Sequence, residues 1–72
     1  GLGQALIDEL EKSVSEILEY PEAFELVSKN LRRKVLRRFP YGLIYAIGSD
    51  RIRILAIAHH KRRPEYWRYR LA

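Results

Sequence analysis

The apolar residues of this chain change period once, and the change falls between residues 20 and 31. Before it, Leu6, Leu10, Val14, Ile17 and Leu18 recur at three- and four-residue intervals, a spacing that lines side chains along one stripe of a helix. After it, apolar residues follow the two-residue period of strands. A chain with one such switch is confined to a helix followed by a small sheet, an α+β arrangement in one domain, residues 1–72.

The stretch "QALIDELEKSVSEILEY", 4–20, reads as the helix, with Asp8 and Lys12 spaced to pair across one turn. Pro21 ends it, because the residue before a proline is driven out of the helical region. "PEAFELVSKN", 21–30, is expected to be a loop or a single helical turn anchored by Phe24, Leu26 and Val27. "LRRKVLRRF", 31–39, suits an edge strand with Val35, Arg37 and Phe39 on one face and Leu36 and Arg38 on the other. Pro40 interrupts the ladder, "YGLIYAI" (41–47) is the next strand, "GSD" (48–50) supplies the turn, and "RIRILAIAH" (51–59) is the last strand. Short connections imply antiparallel neighbours, so the sheet is expected to be a three-stranded antiparallel meander. Residues 64–70 are expected to form a short C-terminal helical turn with Pro64 at its first position. The last two strands are apolar on both faces, whereas a sheet with one wet face alternates cleanly. One helix covers one face, so the other calls for the Trp67 segment, another chain or a partner peptide.

At 72 residues a chain buries only roughly 60% of its unfolded surface and is marginally stable alone. The absence of cysteine rules out disulfides and thiolate metal sites and accords with a cytoplasmic location. No apolar run approaches the length of a membrane span, and the N-terminus lacks a signal-peptide pattern. The net charge of +5 is unevenly spread: residues 1–28 hold seven acids and one base (−6), and residues 29–72 hold thirteen bases and two acids (+11). A basic portion of that density points to a polyanionic partner, either nucleic acid or an acidic protein segment. The plainer reading is a charged surface that keeps a small protein soluble.

The stretch "LRRKVLRRFPYGLIYAIGSDRIRILAIAHHKRRPEYWRYRL", residues 31–71, resembles the RelE/ParE superfamily of bacterial type II toxin–antitoxin toxins. The pieces that carry the likeness are "RRFPYGLIY", the turn, "IRILAIAHHKRRPEYW" and the basic tail, and upstream "GLGQALIDELEKSVSEILEYPEAFELV" looks like the family's second helix. Family members usually begin with a strand and another helix ahead of the "GLG" segment, where this sequence starts. The resemblance therefore implies a shortened domain with additional exposed apolar surface, and a homo-oligomer that covers it.

Two activities occur in this superfamily. RelE-like members cut messenger RNA on the ribosome, and ParE-like members inhibit DNA gyrase. RNA cleavage needs a base for the 2′-hydroxyl, cations for the phosphate and an acid for the leaving oxygen. The resemblance makes His60, Arg38 and Tyr66 the catalytic candidates. Arg37, His59, Lys61, Arg62, Arg63, Trp67, Arg68 and Arg70 are candidates for binding nucleic acid or another target. Each has a plainer reading. A histidine pair at a strand end is more often structural than catalytic, Trp67 suits a plug on the second sheet face better than a base-stacking platform, and arginines protect an edge strand from pairing. Adjacent histidines on a strand point to opposite faces, so no metal or cofactor is expected. Gly42 stands where several mRNA-cutting members carry an arginine, just before "LIY", and this disfavours the nuclease. The implied partners are a cognate antitoxin with an acidic, flexible segment and either the ribosome with its message or gyrase; no membrane is involved. The alternatives are a non-toxic relative that still binds antitoxin or nucleic acid, and an unrelated DNA-binding regulator, which the lack of a helix-turn-helix pattern disfavours.

Overall fold

The computed structural model describes residues 3–59. Helix α1 (Gly3–Glu19) is followed by strands β1 (Glu25–Leu26), β2 (Arg32–Val35), β3 (Tyr41–Ile47) and β4 (Ile52–His59). Among the described residues the strands form one antiparallel sheet in the order β1-β2-β3-β4. The α+β class and the helix, then meander, order are those expected from the sequence. The sheet has four strands where three were expected, because part of the 21–30 segment pairs with β2.

That extra strand has a local cause. The Arg32 guanidinium donates to the carbonyls of Glu22 at 3.1 Å and Phe24 at 2.7 Å, and Arg33 Nη2 lies 2.6 Å from Glu25 Oε1. Two consecutive arginines thus hold the chain after Pro21 flat against β2, in the register Glu25 opposite Arg33 and Leu26 opposite Arg32. Leu26, expected as a core anchor, is 55% exposed, while Phe24 and Val27 do pack inward.

β2 also stops earlier than expected, at Val35 instead of Phe39. Pro40 has no N–H for a ladder, and Leu36 N–H closes back on the Tyr41 carbonyl at 2.9 Å. Residues 37–40 are therefore a turn, and the expected facing of Arg37, Arg38 and Phe39 across a strand does not occur. The β3–β4 connection closes through Gly48 N–H to the Arg51 carbonyl at 2.8 Å. In that pair Ile44 lies opposite Ala56 and Tyr45 opposite Ile54, which leaves Leu55 as the extra residue of a β-bulge.

The core has two parts. On the helix side, Ile17, Leu43 and Tyr45 are fully or nearly fully buried, with Leu10, Val14, Phe24 and Ile52 packed around them. Tyr45 seals this layer by donating its hydroxyl to the Pro21 carbonyl at 2.6 Å. On the other side, Ile44 and Ala58 are buried under Val27 and Leu31, so the β1–β2 connection covers part of the second face. The Trp67 segment, the other expected cover, and the expected C-terminal turn lie outside the described residues.

The exposed apolar surface falls mainly on the helix side instead. Residues opposite one another across a ladder share a face. Ile57 (opposite Leu43) and Ile54 (opposite Tyr45) are thus on the side of α1, yet they are 54% and 42% exposed. A helix about 10 Å across spans roughly two strands 4.8 Å apart. α1 sits toward β2 and β3, with Glu16 near Lys34 and Ile17 against Leu43 and Tyr45. Helical spacing puts Ile7 and Leu18 on the flank of α1 away from Glu9 and Glu16, facing the bare half of β4. Both are exposed, which corrects the placing of Leu18 in the buried stripe. Asp8 accepts a hydrogen bond from Gln4 Nε2 at 2.8 Å instead of pairing with Lys12.

Candidate functional site

One end of the sheet collects the polar residues. The β2–β3 turn lies there, because β2 ends at Val35 and β3 begins at Tyr41. The end of β4 lies there too, because Tyr41 pairs with His59. Tyr41 and His59 meet edge to face, ring centroids 5.4 Å apart at 78°. The N-terminal half of α1 closes over the same end, where a cleft of about 350 Å³ separates it from the turn. Asp8, Glu9 and Lys12 line one wall, and Lys34, Arg37 and Arg38 the other.

The turn is held by a single carboxylate. Glu9 Oε2 accepts the backbone N–H groups of Arg37 and of Arg38, the latter at 3.0 Å. These are the donors an extended strand would have given to a ladder, which accounts for the early end of β2. The two guanidinium-bearing side chains are left exposed. Glu9 Oε1, by contrast, is buried with no hydrogen-bond partner among the described residues.

Deeper in, Lys34 is only 8% exposed. Its ammonium sits 4.9 Å from the centroid of the Phe24 ring and 3.7 Å from Glu16 Oε1, a desolvated cation held by a ring face and a carboxylate. Burial pushes the Tyr45 hydroxyl above its ordinary pKa of 10.0, against the opposing pull of the Arg32 charge, so it stays a proton donor to Pro21 at neutral pH.

On the second face, Arg33 lies across Gly42. A Cβ placed on residue 42 falls 3.0 Å from Arg33 Cγ and 3.3 Å from Arg33 Cδ. Arg33 is tied to Glu25 and its Nε is buried without a hydrogen-bond partner among the described residues.

Of the site residues expected from sequence, the structure brings Arg37, Arg38 and His59 to this one end of the sheet. His60, Lys61, Arg62, Arg63, Tyr66, Trp67, Arg68 and Arg70 lie outside the described residues. Glu9 and Tyr41 had no site role in the sequence reading, and Arg33 only that of protecting an edge strand. The sequence signal for Glu9 was faint: an acid on the margin of the apolar stripe, 28 residues before the turn it meets. No group of three or more histidine, aspartate or glutamate side chains suited to a metal ion occurs among the described residues. No helix among them is long and apolar enough to cross a membrane.

Comparison with curated proteins and with solved structures returned no match in either case. A family model does match: that of the ParE toxin of type II toxin–antitoxin systems (parDE), over residues 2–64. The match runs through α1, all four strands and the turn between β2 and β3. The chain belongs to the ParE toxin family of type II toxin–antitoxin systems.

Proposed function

We propose that this protein is a growth-arresting toxin that acts on DNA gyrase by binding it, does not cut RNA, and is neutralised by a cognate antitoxin. The observation that carries the choice of target is the packing at Gly42. Several mRNA-cutting members of the superfamily carry an arginine at this place on the middle strand, where a cation can meet the phosphate, and without it Arg37 or Arg38 would have to substitute. The space above Gly42 holds the stem of Arg33, whose charge is already paired with Glu25 at 2.6 Å. Of the three catalytic candidates, Arg38 alone falls among the described residues, and it sits on an exposed turn beside the carboxylates of Asp8 and Glu9. A paired guanidinium and a water-exposed one suit contacts to a protein surface better than stabilisation of a pentavalent phosphate, which gains most from donors in a water-excluded site.

Two surfaces divide the work in this reading. Arg37, Arg38 and His59, at one end of the sheet, contact the target. The exposed apolar surface of Ile7 and Leu18 on α1 and Ile54 and Ile57 on β4 receives the apolar anchors of the antitoxin. The +11 balance of residues 29–72 draws in its acidic residues and speeds association. Without antitoxin the same surface takes a second copy, giving the homo-oligomer.

Induction of the chain in bacteria, alone and together with the neighbouring small gene, tests the reading. Growth arrest with loss of DNA supercoiling, relieved by the neighbour, is expected. Indifferent growth contradicts the toxin assignment, and arrest with cleaved messages and normal supercoiling contradicts the target.

A further inference from the structure

Glu9 holds a position that the family assignment does not explain. It lies on α1, its Oε2 accepts two consecutive backbone N–H groups, and those groups belong to the two arginines of the β2–β3 turn. Successive N–H groups converging on one oxygen form a small anion-binding nest, here filled by the protein's own carboxylate. Beyond Glu9, few backbone hydrogen bonds hold the turn. Pro40 contributes no N–H, and the one backbone bond that closes the hairpin, Leu36 to Tyr41, lies at its base. Arg37 and Arg38 are exposed, and no described residue forms an ion pair with either guanidinium. A pair of free arginines on an unsupported turn loses much side-chain and backbone freedom on binding, and preorganisation removes part of that cost.

We infer that Glu9 is a positioning residue: by gripping the Arg37 and Arg38 amides it presents the two guanidinium groups as one fixed dication to the acidic surface of the target. This rests on the proposed role of Arg37 and Arg38 as target contacts. The grip needs an acceptor oxygen and not a charge. A glutamine at position 9 keeps such an oxygen, and its amide nitrogen takes the place of Oε1, which now lies buried without a partner. An alanine removes the grip altogether.

The test uses the full chain and purified DNA gyrase. Amide hydrogen exchange at residues 37 and 38 reads the grip directly: protection is lost in Glu9→Ala and kept in Glu9→Gln. Gyrase binding then weakens about tenfold in Glu9→Ala and stays within about twofold of the parent in Glu9→Gln. In the Arg37→Gln/Arg38→Gln background, Glu9→Ala has no further effect on binding, because its action runs through those two side chains. That last result separates positioning from a general loss of stability, which would weaken both backgrounds alike. Unchanged exchange in Glu9→Ala overturns the inference. So does an equal loss of binding with the arginines absent, or a weak Arg37→Gln/Arg38→Gln protein beside a Glu9→Ala protein of parental affinity. If the arginine double variant itself binds gyrase like the parent, the target-contact reading fails and takes the inference with it. The exchange result then still reports whether the grip exists.

Discussion

The Tyr45 hydroxyl donates to the carbonyl of Pro21 at 2.6 Å, joining the middle strand to the corner at which the helix ends. The last carbonyls of a helix have no partner within it. The Pro21 carbonyl lies just past that end, in the corner, and is met by a side chain 24 residues on. Tyr45→Phe keeps the ring and removes the donor. Leaving a part-buried carbonyl unmet costs roughly 1–2 kcal/mol, expected as a lower urea midpoint with an unchanged slope.

The same residue makes stability depend on alkaline pH. Burial raises the Tyr45 pKa above 10.0 in the folded protein, with Arg32 acting in the opposite sense. The unfolded chain then loses this proton first. The contribution is fully present below pH 10 and is lost as pH rises from there through the higher folded value. In urea melts between pH 8 and pH 11 the parent should lose more stability than Tyr45→Phe. Parallel curves contradict this account of Tyr45.

The Arg33 stem packs closely over Gly42. A Cβ at residue 42 meets Arg33 Cγ at 3.0 Å and the Lys34 carbonyl oxygen at 3.4 Å. Gly42→Ala pushes Arg33 aside and disturbs its pair with Glu25, an overpacking cost of about 1–2 kcal/mol. In the Arg33→Ala background the same substitution should cost clearly less, since its obstacle is gone. Equal costs in both backgrounds would place the strain elsewhere.

The bare half of β4 predicts association. Leu18 of α1 and Ile57 of β4 are 63% and 54% exposed. Leu18→Glu and Ile57→Lys together should leave folding stability within about 0.5 kcal/mol of the parent while abolishing dimers in light scattering and weakening antitoxin capture. A parent that remains monomeric at high micromolar concentration contradicts the oligomer, and undiminished capture contradicts this surface as the antitoxin site.

Periodicity was legible where burial followed it. The stripe Leu10, Val14 and Ile17 came from spacing, and the strands expected at 41–47 and 51–59 came from apolar runs set off by Pro40 and the "GSD" turn, the second observed from Ile52. Leu18 and Leu26 misled because both stay more than half exposed: α1 is too narrow for the whole sheet, and Leu26 lies on the edge strand, opposite Arg32. β1 itself was hidden, since two arginines recruit it by reaching back to carbonyls and a glutamate 8 to 10 residues away. The end of β2 was half visible in Pro40 and half invisible in Glu9. Gathering Arg37, Arg38 and His59 needed the hairpin register, whereas the basic character of that end was plain from charge counting.

Titration of the purified chain against DNA gyrase, with an in vitro translation reaction run in parallel, tests the central claim most directly. The account predicts that supercoiling is lost near stoichiometric toxin, that Arg37→Gln/Arg38→Gln restores it, and that messages stay intact. Gyrase untouched by a large excess of toxin, with messages cut in the parallel reaction, would contradict it.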